Sequence, residues 1–364
     1  MAGETGPRLS WAEVCARRLE RHGLAAPLPD ARPADVIRAM GGVAHAQVLS
    51  AAELSIGLRT TGVTRADVRD ALWTDRSLVK TFGPRGSVHL LPTQDLPMWV
   101  GALSAAPPHM STFPEDVRLT PDQTEAVVEH AGTWAGDLVM PAFQGMWPRW
   151  RQALHLAGMR GVLCFGPTRG RKVTYTSPRR WLPGFQPADG PTSLAGVVRG
   201  YLHAYGPATP QRFAHWLDAP RQWAAALFGS LAGALDPVEV DGTLAWVAAG
   251  DTSAPAAAPR GVRLLPYFDA YAYVVGNQPR ELLYPGRAAE RALGNFQVLL
   301  VDGVVAGVWH QRRSGRKLDL TVEPLVPLPP ARRRELDEQV ERVGVILEGT
   351  PRLTIGTVTV GSHA

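Results

Sequence analysis

Residues 64–92 read TRADVRDALWTDRSLVKTFGPRGSVHLLP. Thr64 opens a helical stretch as a capping residue would. The glycine turn Gly83–Gly86 then feeds a short apolar strand. Upstream, Leu9, Val14, Cys15, Leu19 and Leu24 stand at close to helical spacing. The segment ADVIRAMGG reads as a further helix, with Asp35 near its start and Gly41–Gly42 at its end. Ser50 followed three residues later by Glu53 has the form of a capping box. Val43 to Leu49 is then a buried connector between two helices.

Helices followed by a strand make the order of a winged helix, and that order recurs. Residues 121–160 read as helices, and RGVLCFGPTRGRKVTYTSPRRW as two strands around Pro167–Gly170. A third block begins at SLAGVVRGYLHAYG. Thr209 before Pro210 starts its next helix, and Asp241–Gly242 turns its hairpin. The stretch GDTSAPAAAPRG, residues 250–261, has the composition of a linker. Beyond it the chain is strand-like, with turns at Asp302–Gly303 and Ser314–Gly315, one amphipathic helix (ARRRELDEQVERVGVILEG) and a last strand. The expected class is α+β. Three tandem winged-helix units would span residues 9–110, 111–190 and 191–250, and a β-rich, barrel-like region residues 261–364.

Composition excludes several classes. With 364 residues, 45% apolar and 20% charged, the chain is not disordered. Its two cysteines, Cys15 and Cys164, lie far apart and rule out a disulfide scaffold. No apolar run reaches the roughly 18 residues of a membrane span. The start, MAGETGPRLSWAEV, lacks the pattern of a signal peptide, so a cytoplasmic protein is expected. No GxGxxG opens a βαβ unit, and no GxxxxGK[ST], GxSxG or HExxH is present. Neither cofactor nor metal is expected. Of the 38 basic residues 35 are arginine. A GC-rich base composition explains this as well as phosphate binding by the forked guanidinium does.

Placement says more than number. Arg169, Arg171 and Lys172 crowd one tight turn; Arg312, Arg313, Arg316 and Lys317 crowd another. Such cations repel one another unless an anion visits, and each phosphate neutralised steepens the salt dependence of binding. Plain exposure of turns in an arginine-rich chain is the bland alternative. In the connector, His45 and Gln47 sit between apolar neighbours. Residues two apart in an extended stretch point the same way, so the two can hold one water. Structural hydrogen bonding is the bland alternative there. Trp216, Trp223 and Trp309 read as core or inter-domain packing residues, Asp269 as a turn or structural hydrogen-bonding residue, and both cysteines as buried.

Five stretches in order then carry a resemblance: Gly41–Gly42 before the His45–Ala46–Gln47 triplet, RGSVHLLP, RGVLCFGPTRGRKVTY, YLHAYGPATPQRFAHW, and LLPYFDAYAYVVG with VLLVDGVVAGVWHQRR. Over about residues 9 to 325 the chain resembles the winged-helix DNA glycosylase family of AlkZ and YcaQ type. The resemblance implies three winged helices around a C-shaped DNA channel. It implies excision of alkylated bases, above all bulky N7-alkylguanines and interstrand crosslinks, by a monofunctional enzyme without metal or cofactor. Several members look like self-resistance enzymes of organisms that make DNA-alkylating antibiotics. The family signature, Q-x-Q or Q-x-D, falls on His45–Ala46–Gln47, with histidine where the first glutamine usually stands. Gln47 would then orient a water and His45 accept its proton. Arg169, Arg171 and Lys172 would hold phosphates, and the tip Arg312–Lys317 would probe a groove. Arg85 and His89 are further candidates for DNA contact. The expected partner is double-stranded DNA carrying alkylated guanine, bound by a monomer away from membranes. A non-enzymatic winged-helix regulator and a drug-sequestering resistance protein are the rival expectations.

Overall fold

A computed structural model gives the structure of residues 6–107, 118–132, 138–139, 147–170, 172–255, 257–272, 279–292, 294 and 296–361. β1 (Arg8–Leu9) and α1 (Trp11–Arg21) open the chain. The first block continues through α2 (Pro33–Ala39), β2 (Ala44–His45), α3 (Leu49–Gly57), α4 (Arg65–Trp73), β3 (Leu78–Phe82), β4 (Val88–Pro92) and α5 (Leu96–Ala105). The second holds α6 (Pro121–Gly132), β5 (Leu138–Val139), α7 (Trp147–Met159), β6 (Cys164–Arg169) and β7 (Lys172–Thr176). The third holds α8 (Gly190–Tyr205), α9 (Pro210–Leu217), α10 (Arg221–Ser230), β8 (Leu235–Val240) and β9 (Thr243–Ala248). The remainder is β10 (Val262–Leu265), α11 (Arg280–Leu283), α12 (Ala288–Arg291), β11 (Gln297–Val301), β12 (Val304–Ser314), β13 (Lys317–Pro324), α13 (Pro330–Ile346) and β14 (Thr350–Ile355).

Each of the first three blocks carries a small sheet, in strand order β2-β4-β3, β5-β7-β6 and β1-β8-β9. In the first two, the short strand pairs with the second strand of the hairpin. In the third, Ala208 bridges Trp246 of β9, and β1 joins β8 in parallel. The C-terminal sheet runs β10-β11-β12-β13-β14. Helix α13 packs on both of its outermost strands. At about 4.8 Å per strand a flat sheet would hold these edges about 19 Å apart, so the sheet curls into a half-barrel around the helix. The chain is thus a mixed α/β protein. Among the described residues no helix is long and apolar enough to cross a membrane.

Local signals explain the element starts. Ser10 and Glu13 form a capping box on α1, and Thr64 and Asp67 another on α4. Thr209 caps α9 by accepting from the Arg212 N–H. Ser50 does not cap: α3 begins at Leu49 behind Val48, without a side-chain cap. Glu53 points inward instead and meets Arg69 of α4 at 2.6 Å, because a buried carboxylate needs a cation. Asp241–Gly242 and Asp302–Gly303 both take positive φ, as two-residue hairpin turns require. The stretch 250–261 is not a loose tether. Arg17, itself buried, donates to the carbonyls of Asp251 and Ser253, and Arg21 pairs with the Asp251 carboxylate. Cys164 is buried as expected, whereas Cys15 is only half-buried.

Candidate active site

The polypeptide enters the site through two glycines. Gly41 and Gly42 both have φ of +87°, a region open mainly to glycine. A Cβ on Gly41 would stand 2.8 Å from the Tyr205 ring, and one on Gly42 3.1 Å from Trp99. The Tyr205 hydroxyl donates to the carbonyl of Met40 at 2.7 Å and locks this turn to α8. β2 then pairs with β4, matching Ala44 to Leu90 and His45 to His89, and the Ala46 N–H donates to the Val88 carbonyl. Residues in one row across a sheet share a face. His45, His89 and Thr81 therefore lie on one side, and Ala44, Leu90 and Lys80 on the other.

His45 lines a surface cleft. Its walls come from the first block (Val43, Arg85, His89), the third (Tyr205, Trp216) and the segment after β10 (Phe268). The His45 imidazole stacks on the Phe268 ring, with centroids 4.0 Å apart and planes at 23°. His89 meets it edge-on at 5.3 Å. His89 is buried, and its Nδ1 donates to the Ser87 carbonyl at 2.9 Å. Burial pushes its pKa down to about 4, so it is neutral at pH 7. Gln47 lies two residues past His45, is exposed, and does not line the cleft.

Arg85 sits on the turn between β3 and β4 with φ of +63°. It is exposed, and its guanidinium donates to the His215 carbonyl at 3.0 Å, closing one wall of the cleft against α9. Arg169 and Lys172 face each other across the β6–β7 turn, both exposed; Arg171 lies outside the described residues. At the β12–β13 turn, Arg312, Arg316 and Lys317 are exposed. Arg313 is exposed as well, and its guanidinium donates to the carbonyls of Leu347 at 2.6 Å and Glu348 at 3.3 Å just past the end of α13.

Phe268, Tyr205 and the cleft-facing side of Trp216 were not apparent from sequence as site residues. Trp216 and Trp309 are buried and Trp223 packs partly buried, in keeping with packing roles. Asp269 is buried against Arg59 and is structural. Only the positive φ of Phe268, +56°, marks that residue out, and no local sequence pattern encodes it.

A family profile described as DNA glycosylase AlkZ-like matches residues 37–345. A Streptomyces sahachiroi protein named interstrand DNA cross-link repair glycosylase is 31% identical over 337 residues, covering 83% of this chain and 88% of that protein. The solved structure of Streptomyces sahachiroi DNA glycosylase AlkZ superposes with a TM-score of 0.79 at 27% identity, covering 96% of this chain and 100% of the other. With the profile spanning most of its length and a relative matched across most of both chains, the chain belongs to the AlkZ-like DNA glycosylase family.

Proposed function

We propose that this glycosylase is monofunctional and hydrolyses the N-glycosidic bond of bulky or crosslinked N7-alkylguanine in duplex DNA, as self-resistance to a DNA-alkylating natural product. The observation that carries the proposal is the place of His45 in the lining of a surface cleft, with Gln47 exposed two residues further along the chain. The name of the Streptomyces relative, a cross-link repair glycosylase, supports the substrate class. Alkylation at N7 puts positive charge on guanine and weakens its bond to the sugar. The base leaves without a strong acid. The enzyme has then to place a water against the oxocarbenium-like sugar and remove a proton from it. In this reading the exposed Gln47 carbonyl reaches the water from outside the cleft lining and orients it, and His45, when neutral, takes the proton. Such a positioned group is worth on the order of 10²–10³ in rate.

Lyase chemistry would need an amine to form a Schiff base. Burial lowers the pKa of Lys80, but its ammonium lies over the Phe165 ring, on the face of β4 away from His45. Lys172 and Lys317 stand at hairpin ends. These placements support the monofunctional reading. We read the three blocks, each with a short strand pairing to its hairpin, as winged helices lining a C-shaped channel in which a monomer grips DNA. Arg85, Arg169, Arg171, Lys172, Arg312, Arg316 and Lys317 would face phosphates there, with Arg313 bracing the last hairpin.

The test is base release from duplexes carrying N7-methylguanine or a bulky N7 adduct. Wild type should leave an alkali-labile abasic site, and Gln47→Ala should not. Tight DNA binding with no release from either duplex would overturn the proposal.

A further inference from the structure

Residues 265–271 (LPYFDAY) leave β10 and cross to the first block, and they are fixed at both ends. On the side of the C-terminal sheet, Trp309 Nε1 donates to the Leu265 carbonyl at 2.9 Å. The Tyr271 hydroxyl donates to the Gly303 carbonyl at 3.0 Å, and the Tyr267 hydroxyl meets His310 Nδ1 at 3.4 Å. On the side of the first block, the buried Asp269 carboxylate receives Arg59 through two hydrogen bonds and the Ser55 hydroxyl at 2.7 Å. The Tyr271 N–H turns back onto the same carboxylate at 3.0 Å.

Between these anchors Phe268 takes φ of +56°, which an aromatic residue rarely adopts. Such a conformation persists only where the surroundings over-determine it. Here it brings one flat ring against another, Phe268 against His45 at 4.0 Å. The outer torsion of a histidine is broad, so the imidazole has no strong plane preference of its own. A ring stacked on its face selects one plane. It also fixes where both nitrogens, which lie in that plane, can point; Nδ1 is buried. The titratable and charged groups around the pair are His89, edge-on to His45, Arg85 on the same wall, and the Arg59–Asp269 pair behind Phe268.

We propose that Phe268 is a positioning residue for His45, setting the plane of the imidazole in the cleft, and that the Ser55–Arg59–Asp269 network holds Phe268 in its left-handed conformation for that purpose. The proposal rests on His45 acting in base release. The C-terminal half-barrel then orients a group that the first block supplies.

The experiment compares wild type with Phe268→Leu, Phe268→Tyr and His45→Ala by single-turnover base release, DNA affinity and the imidazole NMR resonances of His45, assigned with His45→Gln. Phe268→Leu should slow release by on the order of 10–100-fold with DNA affinity unchanged. It should also move the His45 resonances as the ring current is lost. Phe268→Tyr keeps the ring and should restore both. Equal loss in Phe268→Leu and Phe268→Tyr overturns the proposal, and so do His45 resonances unmoved in Phe268→Leu. A full rate in Phe268→Leu beside an inactive His45→Ala overturns the positioning role alone. A fully active His45→Ala overturns the role of His45, and the proposal with it.

Discussion

The Arg59 guanidinium meets the Asp269 carboxylate through hydrogen bonds of 2.8 and 2.7 Å, with both side chains wholly out of water. Burial by itself would raise the Asp269 pKa. The Arg59 charge and the hydrogen bonds from Arg59, Ser55 and Tyr271 outweigh it and hold the carboxyl below its ordinary range. Asp269→Ala would strand a buried cation and should cost about 3–5 kcal/mol in urea unfolding. Replacing both partners, Arg59→Met with Asp269→Leu, should recover most of that. The folded carboxyl titrates below the unfolded one. Its contribution is therefore complete above the unfolded pKa, about 3.9, and is lost as pH falls through the folded value. Wild type and double variant should keep a constant difference down to about pH 4.

Two buried histidines set a different acid response. Burial and then the Arg59 charge push His22 down to about 3, while its Nε2 donates to the Ala204 carbonyl at 3.1 Å. His89 is pushed by burial to about 4. Unfolded chains protonate near the reference value, so the unfolded state gains protons first on acidification. Stability should fall from about pH 6.5 downward, by roughly 1.4 kcal/mol per pH unit for each histidine. His89→Gln should halve that slope between about pH 6.5 and 4. Urea midpoints across pH read it directly.

The cations of the β12–β13 turn should separate into two kinds. Arg316→Ala with Lys317→Ala should lower DNA affinity and reduce the log–log salt slope by about two, with Tm unchanged. Arg313→Ala should leave that slope nearly intact and cost about 1 kcal/mol of stability, because it frees the carbonyls of Leu347 and Glu348. A salt slope unmoved by the double variant would remove this hairpin from the DNA contact.

A base that must be neutral gives an acid limb. Base release should decline below roughly pH 6, and His45→Gln should retain activity with that limb gone. A wild-type profile flat from about pH 5 to 8 would leave His45 as a water holder only.

Much of the fold was legible where the cause is local. The hairpin turns at Asp241–Gly242 and Asp302–Gly303 and the helix start at Thr209 rest on backbone preferences of the residues themselves. The failures have distant causes. Ser50 lost its capping role because Glu53 answers to Arg69 on another helix. The stretch 250–261 joins β9 to β10 as its composition suggested, but nothing in that composition announces its anchors Arg17 and Arg21, more than two hundred residues earlier. The site divides in the same way. The connector with His45 could be picked out from its own residues, whereas Phe268 is brought to the cleft by contacts distant in sequence, among them Arg59 with Asp269, 210 positions apart.

The pairing of β1 with β8, Arg8 beside Glu239 and Leu9 beside Val240, bears on how the protein is made. At about 5–20 residues per second, roughly 10–45 s of synthesis separate the emergence of these strands. Throughout that interval α1 has no Asp251 or Ser253 to receive Arg17. Helix α1 is thus made well before the residues that hold it. Translation must pass residue 253 before α1 can make these contacts, so a nascent chain halted earlier carries an unsheltered amphipathic helix.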